Sequence, residues 1–279
     1  MRKTKIGIVG YGFVGKATSQ GFSKNTELFI VDPLLGTNIY DLVQFNPEFI
    51  FVCVPTPMTA DGSQDFKSVT DVFSEIKTNK ISACVVLKST VIPSNIKIAE
   101  KLIDDFIYNP EFLREKHAEN DFINAEMIIL GGKQYNQEKV RNLYKNHSKC
   151  KTKNYILTDK ITASLIKYTI NSFLASKVIF FNQLKDLYNS SEASEDWDVF
   201  TNVLAIDKRI GNSHMDVPGH DKRLGFGGAC FTKDTAALVK YSKAIGKEFT
   251  LLEKAVEINN KIRSKYDDLD QREKDQNVS

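Results

Sequence analysis

Three glycines spaced Gly10-x-Gly12-x-x-Gly15 follow the apolar run KIGIV and precede a helical pattern. That placement constrains the fold more than any other stretch. Gly10 permits a tight turn out of a strand. Gly12 lets a backbone approach a diphosphate, and Gly15 lets the next helix pack against the strand. The helix N-terminus then stabilises phosphate charge. An acid, Asp32, ends the second apolar run about 20 residues on, where it can accept hydrogen bonds from both ribose hydroxyls. A carboxylate there repels a 2′-phosphate, so the motif reads as an NAD site rather than an NADP site. A glycine-rich turn without a ligand is the plain alternative.

The rest of the first half supports a nucleotide-binding sheet. KIGIV, ELFIVD, EFIFVCV, ACVVLKS, FIYNP and EMIILGG are strand candidates, several of them separated by helical patterns. The alternation predicts βα units and a mainly parallel sheet. Near residue 155 the character changes. From Thr158 to about Asn189 the chain reads as one long helix, with Ile161, Leu165, Ile166, Ile170, Phe173 and Leu174 at helical spacing. Thr158 or Asp159 is its expected cap. Further helices are predicted over Asp196–Ala205, Asp234–Ala244 and Leu251–Tyr266, with no strand-like alternation after residue 160. The expected fold class is α/β. A Rossmann-type, mainly parallel sheet domain spans 1–156, an all-helical domain with a long central helix spans 157–266, and 267–279 is a polar tail. The helix near 159–189 is the expected homodimer interface, with the spine of a monomer as the plain alternative.

Composition excludes several classes. Hydrophobic residues are 42% and charged residues 26%, enough to bury a core without disulfides or a metal. A net charge of +3 with both signs interspersed leaves no electrostatic case for nucleic acid. No apolar run approaches the ~18 residues of a membrane span. The start, MRKTKIGIVG, leads into a glycine turn instead of a longer apolar stretch with a cleavage site, so a cytoplasmic protein is expected. Neither the four cysteines nor His117, His147, His214 and His220 show metal-ligand spacing, and no metal site is expected. Cys53 and Cys84 lie in strand candidates and read as small hydrophobes, while Cys150 sits in a Lys-rich turn.

Other residue groups carry chemistry. Val54-Pro55-Thr56-Pro57 and Lys88-Ser89-Thr90 each follow a strand candidate, and ligands of open α/β sheets bind at the carboxyl ends of strands. The prolines keep the first loop extended beside the nicotinamide half of the cofactor, although a plain strand terminator reads the same. In Gly225-Phe226-Gly227-Gly228-Ala229-Cys230, a cysteine sits among glycines just before a predicted helix, with Lys233 close behind. Helix N-termini and nearby cations favour thiolate, which is how a nucleophilic cysteine is built. A glycine turn with a buried cysteine is the alternative. Lys167 and Asn171 are four apart on one helix face. There the lysine can donate to a developing oxyanion and the amide can hold a water or hydroxyl, or the lysine is merely solvated. Glu111, after Asn109-Pro110, can act as a base or orient water, or it is simply an acid in a first helical turn. Arg209 in DKRIGN suits phosphate or sugar-hydroxyl recognition, or is a surface arginine.

Taken together, GYGFVG, VPTP, KSTV, NPEFL, the Lys167/Asn171 helix with NSFLA, RIGN and GFGGACFTKD resemble the UDP-glucose/GDP-mannose dehydrogenase family, in the family's order, from Ile6 to about Ile262. The resemblance implies NAD-dependent, four-electron oxidation of a nucleotide-sugar C6 alcohol to the carboxylate, with UDP-glucose as the expected substrate. It implies Cys230 as the nucleophile, through a thiohemiacetal and then a thioester. Lys167 would stabilise the C6 oxyanion, and Asp234 and Asn171 would hold the water or hydroxyl used in proton transfer. Thr90 and Glu111 would position the hydrolytic water, with Glu111 as base. The resemblance places Gly10, Gly12, Phe13, Val14, Gly15, Asp32, Val54, Pro55, Thr56, Thr90 and Lys233 at the cofactor. It places Phe112, Leu113, Glu115, Lys167, Asn171, Arg209, Phe226, Gly227 and Gly228 at the substrate, with Arg209 reaching across from a partner subunit. The chain stops near residue 279, so a short form without the family's C-terminal UDP-binding domain is expected. KSTVIPSN departs from the family's usual KSTVPVGT, and the stretch between Asp32 and VPTP is shorter. Two other readings are a β-hydroxyacid-type dehydrogenase, which transfers one hydride and needs no cysteine, and a non-catalytic NAD-binding relative.

Overall fold

The structure is a computed structural model and describes residues 2–22 and 24–266. The polar tail expected over 267–279 lies outside the described residues. The described residues form two compact units: those up to Thr56 with Asp65–Lys167, and Pro57–Gln64 with those from Tyr168 onward.

The first unit is a sheet covered by helices. Its strands are β1 (Thr4–Val9), β2 (Thr26–Val31), β3 (Phe49–Val52), β4 (Cys84–Leu87), β5 (Ile107–Tyr108), β6 (Ile128–Gly131) and β7 (Tyr155–Thr158). Its helices are α1 (Phe13–Gly21), α2 (Asp41–Phe45), α3 (Lys67–Thr78), α4 (Pro93–Leu102), α5 (Ala118–Ile123), α6 (Gln134–His147) and the start of α7 (Lys160–Asn189). The strand order is β2-β1-β3-β4-β5-β6-β7, parallel except for the antiparallel β5–β6 pair. The central strands are apolar at consecutive positions because both faces are covered. Ile50, Val52, Val85 and Leu87 join one core with Val69, Phe73 and Ile96. The intervening Phe51 and Val86 join a second core with Ala17, Phe22, Leu143 and Tyr144. The chain winds outward from β1 to β2 and then returns to place β3 on the other side of β1. That reversal opens a crevice at the carboxyl ends of β1 and β3.

Each of the six expected strands is present, and β7 is an addition. Three of its four residues are only partly buried and one is exposed, so YILT at the sheet edge carried little apolar signal. It also moves the helix start from Thr158 to Lys160. Asp159 is the cap: its carboxylate accepts from the Thr162 amide at 2.8 Å and the Thr162 hydroxyl at 2.6 Å.

The second unit holds the remainder of α7 with α8 (Trp197–Ile206), α9 (Ala229–Ala244) and α10 (Thr250–Arg263). Ala175, Ile179, Phe226 and Ala255 form one core cluster, and Phe181, Trp197, Met215 and Val217 another. Helix α9 starts at Ala229 instead of Asp234, which puts Cys230 inside its first turn instead of ahead of it. The reason is Gly228: at φ +79° it completes the turn into the helix, so the small residues after it are already helical. Among the described residues, no helix is long and apolar enough to cross a membrane.

Candidate active site

The glycine turn leaves the space and the backbone geometry that a diphosphate would need. Gly10 has φ +89°, and a Cβ there would lie 2.8 Å from the Cys53 carbonyl oxygen, so the turn can rest on the end of β3 only as glycine. A Cβ on Gly15 would lie 2.0 Å from the Gly10 oxygen, which shows how closely α1 seats on the turn. Gly12 differs. A Cβ there would meet nothing within 4 Å, and Gly12 offers α1 no side-chain cap. Open space therefore lies before the N-terminus of α1, the end of a helix that favours phosphate charge.

Asp32 stands beside this turn. Its Oδ2 accepts from the Tyr11 amide at 2.7 Å and its Oδ1 from the Leu34 amide at 2.9 Å. Each oxygen keeps a further lone pair for a ribose hydroxyl. The two loops beyond β3 and β4 are tied together: the Ser89 hydroxyl donates to the Val54 carbonyl at 2.6 Å, and the Thr56 hydroxyl to the Thr90 carbonyl at 2.9 Å. Val54, Thr56 and Thr90 thus share one edge of the sheet. Phe13 and Val14 open α1 and pack partly on the second core. The residues present fit a dinucleotide with an unsubstituted ribose.

Glu111 and Lys167 meet in the first unit. Lys167 is only 4% exposed, so it is not a solvated surface lysine. Its Nζ donates to the Glu111 carbonyl at 2.6 Å, stands 3.8 Å from Glu111 Oε1, and lies 5.0 Å from the Phe112 ring centroid. Glu111 is buried, and its Oε2 accepts from the Leu113 amide at 2.5 Å. No helix begins at Pro110; the next turn, a 3-10 helix, starts at Glu115. Glu111 is therefore held by the Leu113 amide and Lys167 and not by a helix dipole. Leu113 packs on the second core, and Glu115 is exposed.

The second unit holds the cysteine. Cys230 is exposed, which removes the reading of a buried structural thiol. Gly228, immediately before its helix, would meet nothing within 4 Å if given a Cβ, so space lies open at that point. One turn beyond Cys230 on α9 is the buried Asp234. Its Oδ2 accepts from Asn171 Nδ2 at 2.6 Å and its Oδ1 from Lys233 Nζ at 2.5 Å. Lys233, expected at the cofactor, places its ammonium on Asp234. The Phe226 ring, expected at the substrate, is buried in the helical core. Arg209 lies in the loop after α8 with its side chain 89% exposed and forked onto Asp207.

Two residues escaped the sequence reading. Asn182 Oδ1 accepts from the Gly225 amide at 2.9 Å, and Asn259 Oδ1 accepts from the Phe226 amide at 2.7 Å. These buried amides, from α7 and α10, hold the glycine loop ahead of Cys230. They lie 43 and 33 residues away in sequence, and no local pattern marks them.

Comparison with known proteins adds a family. The family model described as UDP-glucose/GDP-mannose dehydrogenase family, NAD binding domain, matches residues 32–148, and the central-domain model matches residues 161–261. UDP-glucose 6-dehydrogenase of Rickettsia felis is 36% identical over 211 residues, covering 72% of this chain and 45% of that protein. The chain spans about half the length of the curated UDP-glucose 6-dehydrogenases it matches. In fold, it resembles a UDP-glucose dehydrogenase from Pyrobaculum islandicum at TM-score 0.78 and 23% identity, over 93% of this chain and 68% of that one. It also resembles Mycobacterium tuberculosis 3-hydroxyisobutyrate dehydrogenase at TM-score 0.71 and 16% identity, over 96% of both chains.

Proposed function

We propose that this chain, which belongs to the UDP-glucose/GDP-mannose dehydrogenase family, oxidises the C6 alcohol of a nucleotide sugar to the carboxylate through Cys230, with UDP-glucose the first substrate to test. The observation that carries the proposal is an exposed cysteine in the first turn of α9, one turn ahead of a buried Asp234 that holds Asn171.

NAD, when bound, supplies the hydride acceptor for both two-electron steps. Gly10, Gly12, Gly15 and Asp32 hold it, with Val54, Thr56 and Thr90 along the adjoining edge. Cys230 Sγ adds to the C6 aldehyde and forms a thiohemiacetal, whose oxidation leaves a thioester on the same sulfur. Water then breaks the C–S bond, releasing the carboxylic acid and the thiol. Lys167 donates to the C6 oxyanion. Asn171 and Asp234 hold the water or hydroxyl that relays protons, and Glu111 with Thr90 orients the hydrolytic water. Arg209 contacts the sugar nucleotide of a partner subunit. Support for a homodimer comes from α7, where Phe173, Phe180 and Leu187 are 65%, 59% and 67% exposed at seven-residue spacing, an apolar seam suited to a second helix. A Phe180→Asp variant that sediments like the wild type would remove that seam as the interface.

The decisive experiment measures NADH formed from NAD with UDP-glucose, GDP-mannose and UDP-N-acetyl sugars. Two NADH per sugar, lost in Cys230→Ser, is the expected result. One NADH per substrate would point to hydroxyacid-type chemistry. None with any sugar, alongside measurable NAD binding, would overturn the proposal in favour of a binding protein.

A further inference from the structure

Lys88 directly follows β4 at the carboxyl edge of the sheet and is 3% exposed. Among the described residues it forms no ion pair with a carboxylate. Its Nζ instead lies 3.2 Å from Asn109 Oδ1 and 3.4 Å from the Tyr144 hydroxyl. The Tyr144 hydroxyl donates to the same Asn109 oxygen at 2.7 Å, and Asn109 Nδ2 donates to the Ile129 carbonyl at 2.9 Å. One side-chain amide thus gathers groups from β4, β6 and α6 at the point where the chain leaves β5. Asn109 leads directly into Pro110 and Glu111, whose carbonyl receives Lys167.

An ammonium buried among neutral partners is an expensive way to join strands, since an apolar side chain of the same length would fill the space without desolvating a charge. What only a strong donor provides here is orientation of the Asn109 amide. Tyr144 alone leaves that oxygen with one donor from one side. With Lys88 added, the amide is bound at its oxygen twice and at its nitrogen once, and the backbone that follows inherits the constraint. Perturbed, buried ionisable groups of this kind concentrate at functional sites.

We infer that Lys88 is a positioning residue for the proposed reaction, fixing the Asn109 amide and through it the Pro110–Glu111 turn that faces Lys167. The inference rests on the reading of Glu111 and Lys167 given above. Lys88 touches neither substrate nor cofactor in this role; it acts through Asn109.

The test compares wild type with Lys88→Met, which keeps the apolar stem and deletes the donor. Three quantities are read: amide hydrogen exchange over residues 109–113, the Tm, and kcat against KM for NAD. Losing one hydrogen bond to a charged group should speed local exchange by about tenfold. The Leu113 amide, which is bound to Glu111 Oε2, should show this effect, while β1 and β2 exchange at wild-type rates and the Tm does not fall. Where the wild type turns over, kcat should drop about tenfold or more with KM for NAD unchanged. Unaltered exchange over 109–113 would overturn the inference. So would acceleration across the whole sheet with a lower Tm, which marks a purely structural lysine. The exchange measurement decides the matter even if the wild type oxidises no sugar, an outcome that counts against the reaction alone. Should Lys88→Met not fold, Tyr144→Phe removes the other donor to Asn109; faster exchange confined to 109–113 then supports the network, and unchanged exchange overturns it.

Discussion

Asn171 Nδ2 donates to Asp234 Oδ2 at 2.6 Å, joining α7 to the helix that carries Cys230. Asp234 is 1% exposed and its other oxygen receives Lys233. The carboxylate is therefore both a buried counter-charge and the group that holds the Asn171 amide. Losing it should be worse than losing its partner. Asp234→Asn strands the buried Lys233 ammonium and should cost about 3–5 kcal/mol. Asn171→Ala leaves one acceptor unpaired and should cost about 1–3 kcal/mol. Urea denaturation of the two variants gives the order, and the reverse order would show that Lys233 finds another partner.

Thiol labelling separates the cysteines. Burial pushes the Cys53 thiol up to about 12 and the Cys84 thiol up to about 11, and burial also raises that of Cys150. Cys230 is exposed. At about pH 8 a thiolate-selective reagent should modify Cys230 alone in the native protein, because only the thiolate reacts. Cys230→Ser should abolish the fast phase and change stability by less than about 0.5 kcal/mol. Fast modification persisting in that variant would place the reactive thiol elsewhere.

The glycine turn predicts opposite outcomes for two small changes. Gly15→Ala drives a methyl into the Gly10 carbonyl, and the backbone there cannot yield, so the sheet unit should lose stability by at least about 1–3 kcal/mol. Gly12→Ala adds a methyl to open space at an extended φ of −70°. It should fold with near-normal Tm yet lose NAD affinity, which titration calorimetry would read. Unchanged affinity would mean the diphosphate does not pass over Gly12.

Burial lowers the Lys88 pKa, with Cys53, Glu111 and Cys150 opposing that shift and Lys167 adding to it. The folded value thus lies below the unfolded one, at ~10.4. Between the two values the unfolded chain holds the proton and the native protein does not, so Lys88 makes native stability rise with pH across that window. Below the folded value the penalty is constant and largest. Lys88→Met should therefore gain most over wild type below the folded value, and the gain should vanish as pH approaches ~10.4. Denaturation curves from neutral to alkaline pH would reveal this, and a difference that grows with pH would contradict it.

Much of this protein was legible in its sequence for definite reasons. Strands covered on both faces must be apolar at successive positions, so FIFV and CVVL announced themselves, while the half-exposed YILT of β7 did not. The Gly10-Gly12-Gly15 spacing encodes a backbone approach that no side chain can imitate, and Lys167 and Asn171 share a face by helical period alone. These are local constraints, and local sequence suffices to state them. Burial and partnership are not local. A lysine closing a strand reads the same whether solvated or buried; Lys88 is buried because Tyr144, 56 residues away, docks over it. Asn182 and Asn259 hold the loop before Cys230 only because α7 and α10 bring their amides to Gly225 and Phe226. The sequence by itself determined the fold class, the glycine turn after β1 and the place of Cys230 among glycines. Tertiary structure alone decided which polar side chains lost their water, because desolvation depends on everything that packs around a group.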